Sequence, residues 1–276
     1  MAQTQRAPAE ADSDRDLLLR SSGDGIATLT LNNPARRNSL SEAMLAALAE
    51  AFAAISADKA IRVVILASTG TVFCAGHDLK ELSAHRSDPD RGRAYFSEIM
   101  TRCSRLMQLI VGLPQPVIAS VQGTATAAGC QLVASCDLAV ASAEAHFCTP
   151  GVNIGLFCST PMVALSRNLG TKAAMEMLLT GEMTSADEAL RLGLINRAVA
   201  PADLAQATLA LAQRIAAKSG LTLRTGKAAF YRQREMSLEQ AYAYAAEVMV
   251  ENMLARDAEE GIAAFLGKRE PLWEDR

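Results

Sequence analysis

Three short apolar runs constrain this chain more than any other feature: Val63-Val-Ile-Leu66, Val117-Ile-Ala-Ser-Val121 and Leu138-Ala-Val-Ala-Ser142. A strand with one wetted face alternates apolar and polar residues, whereas a continuous run suits a strand covered on both faces. Helical patterns separate the runs. Met44, Leu48, Phe52 and Ile55 recur at helical spacing behind Ser39 and Glu42, which stand three apart as a capping box. Phe96, Ile99, Cys103, Leu106 and Ile110 make a second stripe, stopped by Pro114 and Pro116. Upstream, Ile26-Ala-Thr-Leu-Thr-Leu31 alternates as a half-buried strand does, and Asn32-Asn-Pro34 turns the chain. Gly123 to Asp137 is rich in Ala, Gly and Cys, so a helix there can bring its backbone close to a neighbour. Beyond about residue 160 nearly everything is helical, in blocks near 161–168, 171–179, 185–192, 201–218, 236–255 and 257–266. Strands alternating with helices, then helices alone, predict an α/β core with a helical C-terminal region.

Composition removes several functions. The 276 residues are 50% hydrophobic, enough for a sizeable buried core. Lys+Arg 27 against Asp+Glu 30 leaves a net charge of −3, so no basic field exists to hold nucleic-acid phosphates. No run reaches the roughly 20 apolar residues of a membrane span. The first sixteen residues carry several acids and no apolar core, which speaks against a secretory or organellar address. A cytoplasmic location follows, with residues 1–15 as a disordered tail. The six cysteines (Cys74, Cys103, Cys130, Cys136, Cys148 and Cys158) form no CxxC pair and read as buried free thiols. His146 and Cys148 are too few to hold zinc, and no metal site is expected. His146, in an apolar strand, reads as core or subunit contact; His85, among Ser, Arg and Asp, reads as solvated.

Phe73-Cys-Ala-Gly-His-Asp-Leu-Lys-Glu-Leu82 and Gly123-Thr-Ala-Thr-Ala-Ala-Gly-Cys-Gln-Leu-Val-Ala-Ser-Cys-Asp137 resemble the crotonase (enoyl-CoA hydratase/isomerase) superfamily. Asn33-Pro-Ala-Arg-Arg-Asn-Ser-Leu40, Thr180-Gly-Glu182 with Ala186 to Ile195, and Glu260-Gly to Phe265-Leu-Gly-Lys-Arg269 match it in family order. The resemblance covers about residues 17–270. The second motif and Thr149-Pro-Gly-Val-Asn-Ile-Gly-Leu-Phe-Cys-Ser-Thr-Pro161 are most similar to the enoyl-CoA hydratase domain-containing protein 3 subgroup. The resemblance implies an α/β fold, a spiral of ββα units forming two roughly perpendicular sheets. The core would span residues 16–200 and carry an acyl-CoA site. The helices of residues 201–276 would build trimers, often paired into hexamers. No cofactor would be held permanently, since coenzyme A arrives as part of the thioester.

It also implies an oxyanion hole of two backbone N–H groups. An enolate forms on the thioester oxygen, and fixed donors aimed at developing charge are usually the largest catalytic effect. One donor would be the N–H of His77, after Ala75-Gly76. The other would be the N–H of Ala128, before Gly129 at a helix start. The family often has glycine at the Ala128 position, and the donor survives the change if φ stays negative. Arg37 and Ser39 match the loop that holds adenine. Ala75, Asp78 and Leu79 match the ribose and pantetheine path, and Lys80 and Lys268 match cationic positions near the CoA phosphates. Phe265 and Lys268 would reach the CoA of a neighbouring subunit.

Two positions depart from the family pattern. The standard hydratase activates one water with two glutamates, and here Gln131 and Gly151 stand in their places. Glutamine neither takes nor gives a proton at accessible pH, and glycine adds only backbone. The resemblance therefore implies an acyl-CoA-binding enzyme with weak or absent hydratase activity. Two alternatives stand beside it. Decarboxylation of a malonyl-type CoA makes the enolate without a base, and a regulatory acyl-CoA binder needs no chemistry. Glu182 and Asp137 lie near matched motifs and read as a helix-turn polar group and a strand-start hydrogen-bonding residue. The His77 side chain stands beside the hole, and its structural reading comes first.

Overall fold

A computed structural model describes residues 16–276, so the tail expected over residues 1–15 lies outside the described residues. Its strands are β1 (Leu18–Gly23), β2 (Ile26–Leu31), β3 (Val63–Ser68), β4 (Val72–Cys74), β5 (Val117–Val121), β6 (Thr124–Thr126), β7 (Leu138–Ser142), β8 (His146–Cys148), β9 (Thr184–Ser185) and β10 (Arg197–Val199). Its helices are α1 (Glu42–Ala57), α2 (Leu79–Ala84), α3 (Arg93–Gly112), α4 (Ala128–Ser135), α5 (Ser159–Asn168), α6 (Thr171–Thr180), α7 (Ala186–Leu192), α8 (Leu204–Ala216), α9 (Gly220–Gln233), α10 (Leu238–Leu254) and α11 (Arg256–Leu266). One sheet runs β1-β2-β3-β5-β7-β10 and is parallel except for the β1–β2 hairpin. The other runs β4-β6-β8-β9, with only β8–β9 antiparallel.

The three apolar runs become β3, β5 and β7, neighbours in the first sheet. In β3, Val64 and Leu66 join the main core with Leu48 and Phe52 of α1 and Leu106 of α3. Val63 and Ile65 face the other way, with Ile118 and Val140, onto Leu204 and Leu211 of α8. Each such side chain contributes about 1.5–3 kcal/mol on burial, so an unbroken run stabilises both faces. Asp137, at the start of β7, accepts from Val117 N at 2.7 Å and Tyr231 OH at 2.9 Å, and pairs with Lys227 at 2.6 Å. It ties α9 to the sheet, in keeping with its strand-start reading.

Several local expectations are corrected. The capping box from Ser39 and Glu42 is not formed: Ser41 caps α1, accepting from Met44 N at 3.2 Å. β1 has no apolar alternation because it is an edge strand with exposed side chains, and α9 shows no stripe because none of its residues is buried. β9 and β10 interrupt the helical region as very short strands. His146 is exposed, with Nδ1 3.0 Å from Glu144 O, so it is not core. His85 is half-buried rather than solvated, stacked on Tyr95 at 3.6 Å between ring centroids and 2.7 Å from Asp88. All six cysteines are buried and unpaired. Among the described residues no helix is long and apolar enough to cross a membrane.

Candidate active site

Two loops and one helix head converge on a cleft of about 760 Å³. The first loop, residues 33–39, is held by the fully buried Asn38. The Asn38 side-chain amide donates to Thr69 O and Val72 O, both at 2.8 Å, and its Oδ1 accepts from Asn33 N at 2.8 Å. Arg37 and Asn38 take positive φ values of 54° and 51°, and the loop turns back on itself. Ala75 N then donates to Arg37 O at 3.1 Å, and Leu40 N to Gly76 O at 2.8 Å, joining the first loop to the second.

Asp78 locks that junction. It caps α2 by accepting from Lys80 N at 2.9 Å and Glu81 N at 3.4 Å. It also accepts from Ser39 Oγ at 3.3 Å and pairs with Arg36 at 2.8 Å. Burial pushes the Asp78 carboxyl up, but the two amides, the guanidinium and the hydroxyl outweigh it and hold it below the ordinary aspartate range.

The head of α4 closes the site. A Cβ on Gly129 would stand 2.1 Å from Cys74 O, so only glycine lets α4 lie this close to β4. Gly76, at φ +85°, is equally confined: a Cβ there would stand 3.0 Å from Ala127 Cβ and 3.1 Å from Ala128 N. The Gly76–His77 link therefore runs beside the first residue of α4. Among the described residues, neither the His77 N–H nor the Ala128 N–H donates to another group of the chain. The first amides of a helix have no intrahelical acceptor and carry the positive end of its dipole. Ala128 is such an amide, at the head of α4, and with the loop amide of His77 beside it the pair can receive a developing negative charge.

Ala128 avoids positive φ, the condition set for its N–H to remain available as a donor. The strain falls one residue earlier, on Ala127, at φ 50° and ψ −119°, a region that favours glycine. Ala127 is held there by its N–H donating to Cys148 O at 2.9 Å and its carbonyl accepting from Gln131 N at 3.0 Å. Both ring nitrogens of His77 are buried and lack a hydrogen-bond partner. Burial holds its pKa below the ordinary histidine value, opposed in part by the Leu40 backbone. Among the described residues the cleft carries Arg36, Arg37 and Lys80 against one carboxylate, Asp78. Its field favours an anionic ligand.

Arg37, Ser39, Ala75, His77, Asp78, Leu79, Lys80, Ala128 and Gly151 all line this cleft. Gln131 does not. It faces a second cavity of about 550 Å³ between α3, α5 and α9, and its Oε1 is buried without a partner. The two positions that would share one water thus open on different cavities, which meet at Thr160. Gly151 lies in a single helical turn, Pro150–Ile154, where a Cβ would meet Leu156 O at 2.8 Å and Cys158 Sγ at 2.9 Å. Phe265, 83% exposed, and Lys268 do not line the cleft of their own chain. Sequence reasoning misses Arg36, Ala127, Cys158 and Thr160. Arg36 adjoins Arg37 inside a matched motif, a usable signal, whereas the strain at Ala127 and the approach of Cys158 arise only on folding.

The enoyl-CoA hydratase/isomerase family matches residues 21–276. The mitochondrial enoyl-CoA hydratase domain-containing protein 3 of Mus musculus is 47% identical over 266 residues, 96% of this chain and 87% of that one. A crystal structure of an enoyl-CoA hydratase from Mycobacterium smegmatis superposes with a TM-score of 0.90 at 54% identity, covering 94% of this chain and 99% of that one. Human enoyl-CoA hydratase domain-containing protein 3 gives 0.89 at 47% identity, covering 94% and 100%. These relatives overturn the cytoplasmic expectation, because the mouse and human proteins are named as mitochondrial. That expectation rested on the charge of the first sixteen residues, whose composition does not determine where a folded core of this kind works. The chain belongs to the enoyl-CoA hydratase/isomerase family, the crotonases, and is a member of the enoyl-CoA hydratase domain-containing protein 3 type.

Proposed function

We propose that the cleft binds an acyl-CoA thioester and stabilises its enolate between the His77 and Ala128 amides. One observation carries this reading: two backbone N–H groups that have no partner among the described residues stand beside each other in a cleft whose cations outnumber its carboxylates. Losing one such donor costs about 10²–10³ in rate. Arg37 and Ser39 take the adenine end, Ala75, Asp78 and Leu79 flank ribose and pantetheine, and Lys80 meets phosphate. Coenzyme A comes with the substrate, and no cofactor is retained between turnovers.

Hydration of enoyl-CoA is weak or absent in this reading, because each missing acid or base is worth about 10²–10⁴. A second reading has its own support. Among the described residues the one cleft carboxylate, Asp78, is committed to Arg36, Ser39 and two amides, and none is left free there to take a proton. Decarboxylation of a malonyl-type CoA needs none. The electron pair of the C–CO₂ bond passes into the thioester carbonyl as CO₂ leaves, and water then protonates the carbon. A regulatory binder would keep the pocket and turn nothing over. Mass spectrometry of the purified protein with crotonyl-CoA, methylmalonyl-CoA and free CoA separates these outcomes. Failure to bind any CoA ester would remove the proposal altogether.

Subunit association belongs on α10 and α11, within residues 201–276, as a trimer or a pair of trimers. Leu254, Phe265 and Leu266 are 76%, 83% and 76% exposed there, a concentration of bare apolar side chains that marks an interaction face. Association would bring Phe265 and Lys268 to the CoA of a neighbouring subunit.

A further inference from the structure

The second cavity starts where the first ends, at Thr160 near the beginning of α5. Arg167 lies seven residues farther along the same helix, about 10 Å at 1.5 Å per residue. Between them the wall is largely apolar, including Met107, Val111, Ala134 and Val163. Most polar groups of the lining are engaged within the chain. Ser135 Oγ donates to Gln131 O at 2.8 Å, Asn168 Nδ2 donates to Ala134 O at 2.8 Å, and Tyr231 OH donates to Asp137 at 2.9 Å.

Gln131 Oε1 has no partner among the described residues, and the two guanidinium groups are only loosely held. Arg167 reaches Val163 O at 3.3 Å and Glu235 only at 3.5 Å. Arg234 has no carboxylate partner among the described residues; it donates to the Arg167 carbonyl and lies 5.7 Å from the Phe230 ring centroid. One end of the cavity therefore holds two cations against one loosely held carboxylate. Arg167 and Arg234 are both exposed, so these cations stand at the open end of the cavity, where an apolar chain end finds no partner. A carboxylate fits their planar, bidentate fork.

We infer that this cavity receives the acyl chain of the thioester and selects chains ending in a carboxylate, with Arg234 and Arg167 as the receiving pair. The inference rests on the acyl-CoA reading of the first cleft. The recognised group sits at the far end of the chain, not on the carbon beside the thioester where decarboxylation would act. The ligand class is the CoA monothioester of a dicarboxylic acid of medium length.

Isothermal titration of the full chain with CoA, hexanoyl-CoA and adipyl-CoA tests this, repeated with octanoyl-CoA and suberyl-CoA for reach. In at least one pair the carboxylated ester should bind at least about tenfold tighter than its apolar counterpart. The preference should collapse in Arg167→Gln/Arg234→Gln, survive in part in Arg234→Lys, and leave the affinity for CoA itself unchanged. Equal or tighter binding of the apolar ester in both pairs overturns the inference and leaves the acyl-CoA reading standing. So does a preference that persists in the double variant. Absence of binding by CoA and every ester overturns both.

Discussion

The Cys158 sulfur stands 2.9 Å from the point where a Cβ on Gly151 would sit, and Leu156 O stands 2.8 Å from the same point. The space for the first carbon of any side chain at residue 151 is already filled. A glutamate there is therefore not merely missing from the sequence; the fold has closed over its root.

Overpacking a tight site typically costs about 1–3 kcal/mol. Gly151→Ala should lose that much stability in urea denaturation, and Gly151→Glu at least as much. Cys158→Ala should restore only part, because the Leu156 carbonyl remains. Gln131→Glu with Gly151→Glu should consequently raise hydration little, read as loss of the conjugated-enoyl absorbance. A Gly151→Glu protein as stable as wild type would refute the steric argument.

Ala127 supplies a stabilising counterpart. Its φ of 50° with ψ −119° suits glycine, and a strained residue of this kind costs about 1–3 kcal/mol. Glycine also loosens the unfolded chain, which costs about 0.4–1 kcal/mol. Strain relief is the larger effect, so Ala127→Gly should unfold at higher denaturant than wild type, and Ala127→Val at lower. The opposite order would mean that Ala127 rests unstrained.

What burial imposes on a single element was legible in the chain. Val63 to Leu66 announce β3 because both of its faces are covered, and Ile99 to Ile110 announce α3 because one face is. Elements held by backbone or polar bonds were silent. β1 pairs as an exposed edge, and α9 is anchored through Lys227 and Tyr231 to Asp137 rather than by an apolar stripe. The cleft loops were legible only through resemblance, since nothing periodic marks Arg37 or His77. The parting of Gln131 from Gly151 depends on where α5 runs, and that path is a tertiary outcome.

His77 gives a pH signature. Its folded-state pKa lies below the ordinary 6.5 because burial disfavours the imidazolium. As pH falls through about 6.5, the unfolded chain takes up the proton first, so this group's stability contribution is full above that pH and lost below it. The wild-type Tm should fall more steeply between about pH 7 and pH 5 than that of His77→Leu, which has no imidazole to charge. Parallel Tm profiles would show that the ring is solvated in the folded state.

Lys80 and Lys268 separate the cleft from the assembly. Lys80 lines the cleft of its own chain, whereas Lys268 does not and follows the exposed Phe265. Lys80→Glu should weaken binding of a CoA ester about tenfold, more at low salt, because an ammonium–phosphate attraction becomes a repulsion. Lys268→Glu should do the same only where a second subunit is present. Phe265→Glu places a charge on the apolar face of α11 and should give a monomer by light scattering. In that monomer Lys80→Glu should still weaken binding, and Lys268→Glu should have no further effect. A wild-type monomer at micromolar concentration, or a Lys268 effect that survives dissociation, would defeat the shared site, because Lys268 would then have to reach the cleft of its own chain.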